Sequence, residues 1–183
     1  AMMRVFARFR EAGSEREGGL IAAFPDERTV ETTFVRRPDQ NFSFTLDRVF
    51  PPRTSAVEIH SQCAEPAVQS LAAGQHAIIY AYGHGGSGKA TTVFGQRDGK
   101  EQGLLLSVLD SLCAQSLGPF VVTAVDIYRE TLRDLFAPKS GSAASLKLRD
   151  SAAGSSVEGA IELVIAEPSE LAEVSDAELT SIG

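Results

Sequence analysis

Residues 77–92 read AIIYAYGHGGSGKATT. An almost wholly apolar run, Ala77 to Tyr82, opens onto a glycine-rich loop and then onto Lys89, Ala90 and Thr91. The pattern G-x-x-x-x-G-K-[ST] is met by Gly83, Gly88 and Lys89 and broken at its last position, where Ala90 stands. Its context is that of a phosphate-binding loop, with an apolar strand pattern before it and a helix pattern opening at Lys89. Each residue type has a physical task. Glycines at 83, 85, 86 and 88 let backbone N–H groups turn inward around phosphate oxygens. The helix start adds partial positive charge. Lys89 adds a full one.

Ala90 removes the hydroxyl that ordinarily ligates Mg²⁺, and Thr91 points about 100° further around the helix. Mg²⁺ keeps waters readily, so a water could take that place. If ~3 kcal/mol of metal assistance is lost, phosphoryl transfer slows ~100-fold. The loop therefore predicts nucleotide binding better than hydrolysis. FVVTAVD, Phe120 to Asp126, has the form of a strand presenting a metal carboxylate, which leaves open an unrelated P-loop enzyme working with Lys89 and Asp126.

Outward from the loop, PPRTSAVEIHSQCAEPAVQSLAAG (51–74) is predicted to begin with a turn and continue as a helix closed by Gly74, and GLLLSVLDSLCAQSLG (103–118) is a second predicted helix. The first carries an apolar stripe of Val57, Cys63, Ala64, Val68 and Leu71. Strands are predicted at MRVFARFR, LIAAF, TVETTFV, FSFTLDRVF, HAIIYAY (buried on both faces) and FVVTAVDIY. RRPDQN reads as a turn and RETLRDLF as helical. A hairpin is predicted in LKLRDSAAGSSVEGAIELVIAE, and a helical tail with Ser169 as cap and a Ser175–Glu178 capping box. Mixed strands and helices predict one α/β layered domain over 1–183.

Composition narrows the partners. The net charge is −7 and the pI about 5.0, unlike a chain built for nucleic acid or an acidic membrane. The arginines 36, 37, 48 and 53 read as a solvated face. Two distant cysteines, Cys63 and Cys113, and the lack of any long apolar run are expected of a reduced, cytoplasmic chain outside the membrane. His60 and His76 read as ordinary surface or packing residues.

Several segments in order resemble the kinesin motor domain. VFARFRE is similar to its first strand, which ends R-x-R-P, and FSFTLDRVFPPRTSAVEIHSQC…YAYGHGGSGKATTVFG to the run from its second strand through the P-loop. VDIYRETLRDLF resembles L-E-I-Y-N-E-x-I-R-D-L-L, and the hairpin and tail follow. The resemblance implies a P-loop NTPase-like layered sheet with flanking helices, the first half of such a domain. It implies ATP/ADP held by Arg8 and Arg10 near the base and by Gly83, His84, Gly85, Gly86, Ser87, Gly88, Lys89 and Ala90 around the phosphates, with Thr91 where some members place a histidine against the adenine. It makes Asp126 structural, not a metal ligand.

Departures set the expectations. Glu11 replaces the proline, His84 a glutamine and Ala90 a threonine. The switch motifs N-x-x-S-S-R-S-H and D-L-A-G-S-E do not occur in these residues. The resemblance then implies a cytoskeleton-associated segment that cradles nucleotide, weakens Mg²⁺ and does not hydrolyse alone. Microtubule contact comes through a longer parent, and a second chain or self-association completes the sheet. A non-catalytic pseudo-motor scaffold is the alternative.

Overall fold

The computed structural model describes residues 3–10, 19–96, 101–138, 146–151 and 154–170. The chain divides into two compact units, 1–63 and 64–183.

In the first unit, strand β1 (Phe6–Arg8) runs parallel to β5 (Arg48–Phe50), and β2 (Leu20–Ala23), β3 (Thr29–Phe34) and β4 (Arg37–Thr45) form an antiparallel meander. The period-two pattern of β3 works as the side-chain alternation of a strand dictates: Val30 and Thr32 are buried and Glu31 is exposed. Val49, Phe50 and Ile59 complete the buried set, and the Phe6 ring stacks on Phe50 with centroids 6.1 Å apart. Asp26 closes the β2–β3 turn by accepting from the N–H groups of Arg28 and Thr29 at 2.7 and 2.8 Å. Those bonds, Arg28's first, hold its carboxyl below the ordinary range.

Four expectations are corrected here. RRPDQN is not a turn: the turn falls at Val35–Arg36, and Arg37 begins the nine-residue strand β4. FSFTLDRVF is not one strand but the end of β4 and all of β5. Arg48 is not part of a solvated basic face. It is mostly enclosed and bridges Glu27 and Glu58. Val57 is 79% exposed and does not join a buried stripe.

The helix begins at α1 (Ala56–Ile59), where the Ser55 hydroxyl accepts from the Glu58 N–H at 3.2 Å. A π-helical turn, His60–Ala64, separates it from α2 (Glu65–Ala72). The cause is Pro66, which has no N–H to give the carbonyl four residues back, so the ladder widens just before it.

In the second unit, Ala64 and Val68 are fully buried. Gly74 closes α2 with φ at 72°. After α3 (Lys89–Phe94) and α4 (Leu104–Ala114), β6 (Phe120–Val122), β7 (Val125–Tyr128), β8 (Thr131–Asp134), β9 (Lys147–Ser151), β10 (Gly154–Glu158) and β11 (Leu163–Ile165) make three antiparallel pairs: β6 with β11, β7 with β8, and β9 with β10. The core centres on Leu109 of α4 and fully buried Ile165 of β11, packed by Phe94, Leu105, Cys113, Val122 and Leu163.

RETLRDLF is therefore not helical. Arg129 takes φ 56° at the turn, Ile127 faces Leu132 in register, and FVVTAVDIY breaks into β6 and β7. HAIIYAY is not a buried strand either. Residues 75–83 carry no regular secondary structure, and Ile78, Tyr80 and Tyr82 are 92, 79 and 88% exposed. A strand buried on both faces needs a ladder on at least one edge. Among the described residues no strand pairs with this segment. Residues 171–183, with the Ser175–Glu178 box, lie outside the described residues. Ser169 sits within a 3₁₀ turn, Pro168–Glu170.

Candidate functional site

The loop between residues 82 and 89 is built by its glycines. Gly88 takes φ 98° immediately before α3, and Gly86 takes φ 71°, both left-handed values that side chains resist. At Gly83 a methyl group would come within 2.5 Å of the Ser87 hydroxyl. The Ser87 side chain thus lies against Gly83, and the Ser87 N–H donates to the His84 carbonyl at 3.2 Å across the loop.

Lys89 reaches back over this turn. Its half-buried Nζ donates to the carbonyl oxygens of Gly83 at 2.8 Å and His84 at 2.9 Å. The His84 ring is exposed, with Nδ1 2.6 Å from the Gly85 carbonyl oxygen. Ala90 lies in the first turn of α3 and its side chain carries no oxygen. Thr91 is exposed. Sequence reading passed over Thr92, whose hydroxyl donates to the Gly88 carbonyl at 2.9 Å and so ties the helix start to the loop. A threonine inside the first helical turn is the signal that would have found it.

Of the predicted residues Gly83 to Thr91, which are sequence neighbours, Gly83 and His84 are brought onto the Lys89 ammonium. Arg8 ends β1 opposite Phe50, and Arg10 follows it, both exposed. They belong to the first unit and the loop to the second. Glu11 lies outside the described residues. Asp126 on β7 pairs with Arg133 of β8 at 2.9 Å, as their cross-strand register demands.

A half-buried ammonium held on two loop carbonyls, in a glycine turn that leads into a helix, fits a polyphosphate. The same site does not fit direct ligation of Mg²⁺ by the protein. Position 90 has no side-chain oxygen, the Thr92 hydroxyl is committed to a carbonyl, and the described residues hold no cluster of three His, Cys, Asp or Glu side chains.

The family model for the kinesin motor domain matches residues 7–177. Kinesin-like protein KIFC1 of Mus musculus is 35% identical over 154 residues, covering 78% of this chain and 23% of that protein. Kinesin-like protein KIN-7M, chloroplastic, of Arabidopsis thaliana is 32% identical over 174 residues, 90% of this chain and 16% of that protein. A solved structure, described as that of a fast kinesin with implications for ATPase mechanism and interactions with microtubules, superposes with a TM-score of 0.80 at 24% identity. It covers 98% of this chain and 52% of its own.

The fold is therefore the α/β fold of P-loop NTPases, in the form kinesin motors give it. The chain belongs to the kinesin motor domain family. It spans less than a quarter of the length of the curated relatives it matches. Membership removes the unrelated P-loop enzyme. Among the described residues no helix is long and apolar enough to cross a membrane.

Proposed function

We propose that this chain supplies the nucleotide cradle of a kinesin-type, cytoskeleton-associated protein. It takes the phosphates of ADP or ATP on the loop Gly83–Thr91 and does not turn ATP over by itself. One observation carries the reading: the Lys89 ammonium, half-buried and poised on the Gly83 and His84 carbonyls within a glycine turn. Exchange of those carbonyls for phosphate oxygens replaces contacts of an ion with neutral dipoles by contacts between opposite full charges. The family match runs across both compact units, with Arg8 and Arg10 in the first and the loop in the second.

Mg²⁺, when present, screens phosphate charge and assists phosphoryl transfer. Ala90 gives it no protein ligand here, so metal would travel with the nucleotide rather than sit on the chain. Microtubule contact would come through a longer parent protein.

A second reading rests on Ile78, Tyr80 and Tyr82. Their exposure beside the cradle suits a segment that pairs with another polypeptide, from the parent, a second chain or another copy. In that reading the chain is a pseudo-motor scaffold with weak or absent nucleotide binding.

Titration of the chain with fluorescently labelled ADP, beside Lys89→Met, separates the two. Saturable binding lost in the variant supports the cradle. No binding in either, with self-association that Tyr80→Lys abolishes, supports the scaffold.

A further inference from the structure

His84 occupies the second position of the loop and is held at both ends. Its carbonyl oxygen accepts from Lys89 Nζ at 2.9 Å and from the Ser87 N–H at 3.2 Å. Its ring Nδ1 lies 2.6 Å from the Gly85 carbonyl oxygen. A carbonyl has no proton to give, so Nδ1 must be the donor. That bond selects the neutral tautomer in which Nε2 carries a lone pair. Protonation converts Nε2 into a charged N–H donor without disturbing the Nδ1 bond. The ring is exposed, so Nε2 is open to a ligand.

The charge balance makes this consequential. A nucleoside diphosphate brings about three negative charges at neutral pH, and Lys89 is the one cation the described loop sets among its own carbonyls. Ala90 anchors no Mg²⁺. Lys89 is also the charged group that faces His84. Among the described residues neither has a carboxylate bonded to it, and Ser87, the other contact, does not titrate in this range.

Resting on the cradle reading above, we infer that His84 is a second, proton-operated cation of the phosphate site. The loop binds metal-free nucleoside diphosphate more tightly as the imidazole gains its proton. The sign follows from linkage. Bound phosphate favours the protonated ring, binding takes up a proton, and affinity declines as pH rises through the titration. Mg²⁺ on the nucleotide neutralises the charge the ring would meet and flattens the dependence.

The test is a titration of the whole chain with fluorescent ADP in EDTA, from about pH 8.5 to about pH 6 at fixed ionic strength. His84→Gln and His84→Lys are measured alongside, with circular dichroism at each pH. The nucleotide's own phosphate titrates too, so the readout is the difference between proteins. The wild-type chain should gain about fivefold more affinity on acidification than His84→Gln. His84→Lys, a permanent cation, should bind at high pH as tightly as the wild type does at low pH. Parallel pH profiles for wild type and His84→Gln would overturn the role of the histidine while leaving the cradle standing. No binding by any of the three proteins at any pH would overturn both. If His84→Gln loses its fold, His84→Lys against wild type decides by the same criterion.

Discussion

The Lys89 ammonium lies 2.8 Å from the carbonyl oxygen of Gly83, six residues earlier, and shares itself with His84 at 2.9 Å. The cradle's cation is therefore satisfied by the loop's own backbone. A compact ammonium can turn its three donors from those carbonyls to a phosphate. A planar guanidinium is larger and holds its donors in a fixed fork. Lys89→Arg should keep the charge and still weaken labelled-ADP binding about tenfold, with an unchanged circular dichroism spectrum.

Gly103 precedes α4 and lies against the end of α3. A methyl group there would come within 3 Å of backbone atoms of Val93, Phe94 and Gly95. Backbone cannot rotate away as a side-chain tip can. Gly103→Ala should lower stability by about 2–3 kcal/mol, read as a shift in the urea midpoint. It should also weaken ADP binding, because the displaced segment is the far end of the helix that Lys89 opens.

Burial pushes the Cys63 thiol up from 9.0 to about 11. The folded state holds this proton longer than the unfolded chain does. Its contribution to stability is complete below pH 9 and declines as pH rises through 11. In a Cys113→Ala background, alkylation of Cys63 near pH 8 should run about 100-fold slower in the folded chain than in urea. Comparable rates would mean that the π-helical turn opens freely.

The elements legible in the sequence are those whose cause is local. Gly88 and Lys89 mark a helix start wherever they fall in this pattern, and α3 begins at Lys89. The apolar spacing of Leu104, Leu109 and Leu112 is a helical period, and these are the residues that α4 buries. The alternation around Val30 and Thr32 marks β3 in the same way. What was illegible depends on partners far along the chain or outside it. RETLRDLF is composed of good helix formers, yet Ile127 against Leu132 and Asp126 against Arg133 draw it into a hairpin. HAIIYAY has strand composition, but no described strand lies beside Ile78 or Tyr80. At the site, the glycines and Lys89 were legible because the loop is contiguous. The self-held state of Lys89, the ring bond of His84 and the tie from Thr92 to Gly88 were not, because they depend on rotamers.

The most direct test of the account restores the missing hydroxyl. Labelled ADP is titrated into the wild-type chain and Ala90→Thr, each with Mg²⁺ and with EDTA. The wild type should bind equally well in both, and the threonine variant should bind about tenfold more tightly with Mg²⁺ than without. Binding by the wild type that already depends on Mg²⁺, or no binding by either protein, would contradict a cradle that is intact except for its metal seat.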